Sequence, residues 1–135
     1  MLFSPAERSF LGVLEQAVAD EYRVFGKVRV GDVIEPRRGM DRSKHQTAFN
    51  RINAKHFDFL LCAPGDLSVV CAVELDDVSH QQSRRRDRDG FLAAACESAA
   101  LPLLQVQAQR THSIDDLRAK IRAVLDVKPQ SVARA

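Results

Sequence analysis

Two apolar runs joined by a short connection constrain the fold of this chain more than any other feature of its sequence. The first run extends from Phe57 to Cys62 and the second from Ser68 to Leu75. Between them, the stretch Ala63-Pro64-Gly65-Asp66 has the composition of a tight turn. Because so short a connection joins antiparallel neighbours, the two runs are predicted to form a β-hairpin near the centre of a sheet.

The residues before and after the hairpin predict helices alternating with strands. Ser4-Pro5-Ala6-Glu7 has the pattern of a capping box, so a helix is expected from Pro5 to Ala19. A strand follows between Tyr22 and Val30, with a kink expected at Gly26. Further predicted elements are a surface loop over 31–42, a short helix from Ser43 burying Ala48, Phe49 and Ile52, a helix from Arg84 to Ala99, a strand from Leu101 to Val106 and a last helix opened by Ser113.

The order α-β-(α)-β-β-α-β-α implies one α/β domain with three layers, in which helices cover both faces of a mixed central sheet. We expect the domain to occupy residues 1–127 and the tail over 128–135 to be disordered. The length of 135 residues, with 45% apolar and 28% charged residues, suits one globular domain.

The sequence shows neither an export or membrane-spanning segment nor a cysteine pattern typical of disulfides. No apolar run approaches the roughly 20 residues that span a bilayer, and the N-terminus lacks the features of a signal peptide. A cytoplasmic location is therefore expected, without a membrane partner. The three cysteines, Cys62, Cys71 and Cys96, form no C-x-x-C pair and are odd in number. They are interpreted as small buried apolar groups.

Acidic residues in the hairpin need an explanation. Asp58 lies inside the first apolar run, and Glu74 and Asp76 lie at the end of the second, two residues apart and so on one face of the strand. Carboxylates gathered at one point repel one another and lose hydration. Mg²⁺ or Mn²⁺ would relieve both penalties, since such ions prefer oxygen ligands. Alternatively, Glu74 and Asp76 are solvated and Asp58 pairs with an arginine.

Basic residues and one histidine stand close to these acids in the sequence. His80 becomes a candidate proton carrier if it lies near the carboxylates, although a lone histidine is more often structural. The net charge of +2 argues little for nucleic acid. The cluster Arg84, Arg85, Arg86 and Arg88 is either a solvated helix face or a contact for backbone phosphates.

Several segments resemble, in the same order, the family catalogued as domain of unknown function 2726. They are Ser4 to Arg8, Lys55 to Leu60, Val73 to His80, Arg88 to Leu92 and Leu101 to Leu104. The likeness covers roughly Phe3 to Leu125. This family resembles a branch of the PD-(D/E)XK nuclease superfamily, near the very-short-patch-repair endonucleases, which implies a restriction-endonuclease-like fold.

The resemblance also implies residue roles. Asp58 would bridge to the metal, Glu74 would be the acid of the (D/E)XK element, and Glu7 would complete the site through water. Asp76 stands where the superfamily usually has Lys. It is then either an extra metal ligand, with His80 or Lys55 taking the Lys role, or a sign that the domain binds without cutting. Gln105 stands where Arg is expected.

Together these features predict a Mg²⁺- or Mn²⁺-dependent nuclease that hydrolyses DNA in repair, recombination or defence. The arginine cluster and Lys55 would contact the DNA backbone. With one Tyr and no Trp to stack bases, duplex or branched DNA is favoured over plain single strands. A catalytically weak or inactive nucleic-acid-binding module is the alternative, and a protein-interaction domain is the third. A homodimer or a helicase-type partner is compatible with a domain of this size.

Overall fold

The structure of the protein is a computed structural model that describes residues 2–34, 46, 47, 50, 55–76 and 82–126, with the backbone alone for 82–89. Its helices are α1 (Pro5–Val18), α2 (Gln82–Ser98) and α3 (Ile114–Asp126). Its strands are β1 (Arg23–Arg29), β2 (His56–Cys62), β3 (Val69–Asp76) and β4 (Leu103–Gln107). A single 3₁₀ turn, Val30–Asp32, follows β1. Positions 46, 47 and 50 are helical, whereas the predicted start at Ser43, the residues Ala48, Phe49 and Ile52, and the tail over 128–135 lie outside the described residues.

The four strands form one mixed sheet in the order β1-β2-β3-β4. β1, β2 and β3 are antiparallel neighbours, so the predicted hairpin is confirmed. β4 runs parallel to β3, and the connection between them contains α2, as a parallel crossover requires. The α/β class and the mixed sheet are those predicted from the sequence.

Helices cover both faces of the sheet, and each face has its own hydrophobic cluster. On one face α1 and α3 pack against β2, β3 and β4, and we call this the α1–α3 cluster. On the other face α2 packs against β2 and β3, and we call this the α2 cluster. Cys71 lies in the first cluster, and Cys62 and Cys96 lie in the second, so the predicted burial of all three cysteines is confirmed.

Helix ends follow the sequence signals. The amide of Glu7 donates to Ser4 Oγ (3.1 Å) and the amide of Ser4 donates to Glu7 Oε1 (2.9 Å), which completes the predicted capping box. Ser113 Oγ accepts from the amide of Asp116 (3.1 Å) at the start of α3. Arg118 of α3 donates to the carbonyl oxygen of Ala17 (3.0 Å), which links α3 to the end of α1. No helix in the described ranges is long and apolar enough to cross a membrane.

Candidate active site

Asp58 and Glu74 meet where the ladder between β2 and β3 ends. The last paired residues at this end are Phe59 and Val73. One residue further on, side chains replace the ladder: the amide of Asp58 donates to Glu74 Oε2 (2.8 Å) and the amide of Leu75 donates to Asp58 Oδ2 (2.9 Å). Asp58 is 7% exposed and Glu74 is 1% exposed. Two buried carboxylates are thus tied to each other's strands by reciprocal hydrogen bonds.

These hydrogen bonds explain how two acids tolerate burial side by side. A buried carboxylate that accepts an amide hydrogen bond recovers part of the hydration it has lost, and such charge-assisted bonds are the strong ones. The same bonds fix the direction in which each side chain points. We therefore regard Asp58 and Glu74, the acid pair, as the centre of the candidate site.

Lys27 of β1 lies beside Asp58 of the acid pair, and no motif in the sequence marks it as a site residue. The flanking pairs Gly26↔Phe59 and Val28↔Phe57 place Lys27 opposite Asp58. Lys27 Nζ lies 4.0 Å from Asp58 Oδ1 and 2.9 Å from Glu7 Oε2. The ammonium therefore connects the helix glutamate to the acid pair across two strands.

The backbone at Lys27 is unusual for a strand. Its φ is 55°, a left-handed conformation that costs a lysine about 1–3 kcal/mol. The other non-glycine residues with positive φ in the described part of the chain lie after helices or in the hairpin turn; they are Ala19, Leu67 and Ala100. Lys27 alone among these has that conformation inside a strand.

Both strands change face at the position where Lys27 opposes Asp58. Val24 packs in the α1–α3 cluster and Val28 in the α2 cluster, although residues four apart on a regular strand share a face. On β2, Phe59 packs in the α1–α3 cluster and Phe57 in the α2 cluster. The break in alternation therefore runs across β1 and β2 and falls at the site.

Phe3 covers the strand beside Lys27. Its ring stacks on Phe59, with centroids 5.6 Å apart and planes 12° from parallel, and Lys27 Nζ lies 5.8 Å from the Phe3 centroid. A Cβ added to Gly26 would collide with the Phe3 ring, so the glycine is needed for steric reasons. The irregularity predicted at Gly26 is real but lies one residue later, at Lys27.

Glu7 accepts a hydrogen bond with each of its two carboxylate oxygens. Oε1 accepts from the amide of Ser4 in the capping box, and Oε2 accepts from Lys27 Nζ. Burial raises the pKa of the Glu7 carboxyl, but the hydrogen bonds from Lys27 and Ser4 and the Lys27 charge outweigh it, so the net pKa is lowered. An ionised Glu7 therefore holds Lys27 next to the acid pair.

Two of the buried thiols have strongly raised pKa values. Burial raises the pKa of the Cys96 thiol to about 11, and the negative charge of Glu74 adds to the rise. Burial also raises the pKa of Cys71 to about 12. Since the thiolate is the reactive form, these raised pKa values disfavour a nucleophilic role for either cysteine, and Cys71 Sγ donates to the carbonyl oxygen of Ala72 (3.4 Å).

For the other predicted site residues within the described ranges, the structure gives their positions in the fold. Asp76 ends β3, partly exposed, and pairs in register with Gln107 of β4. Within the described ranges no group of three or more His, Cys, Asp or Glu residues is arranged to hold a metal. Lys55 is half-buried and its carbonyl oxygen accepts from the amide of Val30 (2.9 Å). Gln105 is exposed on β4, in register with Glu74.

His80 lies outside the described residues. The arginines of the basic cluster fall within the first two turns of α2, where the structure describes the backbone alone; they are Arg84, Arg85, Arg86 and Arg88. The structure thus brings together Asp58, Glu74 and, through Lys27, Glu7. It leaves the predicted phosphate contacts of the arginines as predictions.

The comparison with protein families identifies the chain. The family described as "Protein of unknown function (DUF2726)" matches residues 1–125. The chain belongs to this family, as its sequence motifs indicated. The match includes every residue of the acid site, from Glu7 to Asp76. No curated protein and no solved structure matches the chain.

Proposed function

We propose that this protein is a Mg²⁺-dependent nuclease that hydrolyses phosphodiester bonds in DNA. The observation that carries the proposal is the acid pair, in which Asp58 and Glu74 are buried, adjacent and oriented by hydrogen bonds from each other's strands. Proteins commonly hold Mg²⁺ with one or two carboxylates, while water and substrate phosphate complete the coordination. Two carboxylates are therefore enough for the proposed chemistry.

The donor set fits a hard cation. Asp58 and Glu74 supply carboxylate oxygens, which are the ligands that Mg²⁺ prefers. Hydrogen bonds to the metal-ligating carboxylates are the outer contacts that orient such ligands. When bound, Mg²⁺ or Mn²⁺ would polarise the scissile phosphate and lower the pKa of a water molecule.

DNA is favoured as the substrate because of the basic cluster near the acid pair. β3 ends at Asp76 and α2 begins at Gln82, so the intervening chain keeps the start of α2 within roughly 20 Å of Asp76. The arginines at 84, 85, 86 and 88 belong to the first two turns of that helix. We infer that these arginines bind phosphates flanking the scissile bond in a duplex or branched DNA.

A nucleic-acid-binding module without cleavage activity is the second candidate. Two observations favour it: Asp76 stands where a lysine is expected, and the described residues contain no group of three or more metal-binding side chains. Such a module would bind DNA in a salt-dependent way without any metal-dependent product.

Metal-dependent cleavage separates the two candidates. The purified protein with Mn²⁺ should nick supercoiled plasmid or cut a branched duplex. Glu74→Gln should stop this reaction while the fold survives, because the amide keeps an oxygen to accept from the amide of Asp58 but loses the charge that holds the cation. Glu15→Gln, at an exposed position of α1, is the matched control.

The result would be read from product formation and from circular dichroism of each variant. Cleavage by the wild type and by Glu15→Gln, but not by folded Glu74→Gln, supports the nuclease. Cleavage that survives Glu74→Gln would show that the acid pair is not the active site. Binding of DNA by the wild type without any cleavage on duplex, branched or mismatched substrates would favour the binding module.

A further inference from the structure

We propose that Lys27 is a catalytic residue of the acid site, whose ammonium contacts the substrate phosphate beside Asp58 and Glu74. The inference rests on the proposed nuclease function and names the group that takes the role for which Asp76 is unsuited. Lys27 stays protonated in this role. It donates hydrogen bonds to a phosphate oxygen and transfers no proton.

The position of the ammonium supports a substrate contact. Lys27 Nζ donates to Glu7 Oε2 (2.9 Å) and lies 4.0 Å from Asp58 Oδ1, which is an ion pair but too long for a hydrogen bond. An ammonium has three N–H donors, and the bond to Glu7 is the one that Lys27 makes within the described ranges. Its side chain is 25% exposed, so a phosphate oxygen from solvent can reach the remaining donors.

The strain at Lys27 supports a role beyond packing. A residue in the left-handed region within a strand is disfavoured unless surrounding contacts impose it, and such residues cluster at functional sites. Glycine or asparagine would adopt this conformation at lower cost. The lysine at this position is held there by contacts of its side chain with Glu7, Asp58 and the Phe3 ring.

Electrostatics explains why the site needs a cation other than the metal. A phosphate that approaches two carboxylates is repelled by both, and the repulsion is stronger in a medium less polar than water. Lys27 is opposite Asp58 in the strand register and adds a positive charge 4.0 Å from Asp58 Oδ1. Glu7, which holds the ammonium from α1, is then a positioning residue.

The test compares Lys27→Asn and Lys27→Gly with Lys120→Met, which removes an exposed lysine of α3. Asn and Gly are chosen because both tolerate the left-handed backbone at position 27. Binding of a short duplex DNA is measured over a range of salt concentrations with Ca²⁺, which takes the same oxygen ligands as Mg²⁺. Mn²⁺ binding is measured separately from the rise in thermal midpoint without DNA.

We expect both Lys27 variants to bind the duplex more weakly at low salt and to lower the slope of log Kd against log salt by about one. The thermal response to Mn²⁺ should remain, because Lys27 is a cation and no metal ligand. Single-turnover cleavage should fall about 100-fold, the scale found when one donor to the developing charge is removed. Lys120→Met should resemble the wild type in all three measurements.

Each other outcome decides against Lys27 or against the nuclease. An unchanged salt slope overturns the phosphate contact, and so does loss of the Mn²⁺ response in a folded Lys27 variant, which would make the lysine part of the metal-binding frame. Failure of both variants to fold would assign Lys27 to stability alone. If the wild type never cleaves but the Lys27 variants lower the salt slope, the phosphate contact stands and the proposed nuclease fails.

Discussion

The two ends of the β2–β3 hairpin differ in the groups that hold the strands together. At the turn end, the ladder pairs Leu60 with Ala72 and Leu61 with Cys71, and all four side chains are buried and apolar. At the acid end, the ladder stops at Phe59 and Val73, and carboxylates accept the backbone amides instead. The same two strands are therefore an ordinary hydrophobic core at one end and a polar, charged site at the other.

The difference separates stability from function along two strands. Apolar burial at the turn end supplies free energy of folding without any chemical group to react. The acid end contains buried charge, and the strained Lys27 of β1 lies beside it; both features reduce stability. Substitutions at the two ends should accordingly give different phenotypes, and the predictions below test that separation.

Leu61→Ala should give the largest loss of stability. Leu61 is fully buried in the α1–α3 cluster, and truncation of such a leucine costs about 2 to 5 kcal/mol. The free energy of unfolding is measured by urea denaturation. Because the change lies away from the acid pair, the folded variant should keep the Mn²⁺-induced rise in thermal midpoint. Two results would contradict the separation of stability from metal binding: a Leu61→Ala protein as stable as the wild type, or a folded Leu61→Ala protein whose thermal midpoint does not rise with Mn²⁺.

Asp58→Asn should have a smaller effect on stability and the largest effect on metal binding. Mn²⁺ at 100 times its Kd stabilises a folded protein by about 2.7 kcal/mol, and the variant should lose that shift. The fold should survive because an amide oxygen at position 58 can still accept from the amide of Leu75. The measurement is a thermal denaturation series in Mn²⁺.

Asp66→Asn is the matched control for Asp58→Asn, since it makes the same chemical change at the turn end of the same hairpin. Asp66 is exposed and its Oδ1 accepts from the amide of Ser68 (3.0 Å). Its Mn²⁺ shift should equal that of the wild type. If the two variants respond alike to Mn²⁺, the cation does not bind at Asp58.

The sequence predicted the hairpin and the closeness of Asp58 to Glu74 because both depend on local signals. A short turn between two apolar runs determines which strands pair, and the positions of the acids within those runs then bring them together. The break in alternation was not predictable in the same way. Phe3, which comes from before α1, stacks on Phe59 beside this break, and no pattern within β1 specifies that contact.

Lys27 was missed for a related reason. Regular alternation in β1 places Lys27 on the face opposite to Val24 and Val28, together with Arg23, Phe25 and Arg29. The positive φ at Lys27 overrides that alternation and directs the side chain to Glu7 and Asp58. The only sequence signal was the Gly-Lys step in the middle of the strand, which marked an irregularity without indicating its purpose.

Alternation also has limits at the end of β3. It predicts that Glu74 and Asp76 share a face, which is the basis for expecting three carboxylates at one point. A shared face does not determine which atoms a side chain contacts. Glu74 accepts from the amide of Asp58 on the neighbouring strand, and Asp76 continues the pairing with β4. The closeness of the two acids can be predicted from the sequence, whereas their hydrogen bonds cannot.

Glu7→Gln should give the smallest effect, and one that depends on pH. The folded-state pKa of Glu7 is lowered, so its carboxylate contributes stability above the unfolded pKa of about 4.5 and loses that contribution as the pH falls through the folded value. The glutamine keeps an oxygen for either Ser4 or Lys27 but has no charge to lose. The wild type should therefore exceed the variant in unfolding free energy by under about 1 kcal/mol near pH 6, since the ion pair is partly exposed.

The difference between the two proteins should shrink as the pH falls from 6 to 3. Urea denaturation at each pH measures it, and the titration of all other acids cancels because both proteins share them. Glu15→Gln, which removes an exposed carboxylate from the same helix, should show no comparable trend. The difference in unfolding free energy between wild type and Glu7→Gln could instead stay constant across this range. Glu7 would then stabilise the protein through its capping hydrogen bond with Ser4 and not through the charge that holds Lys27.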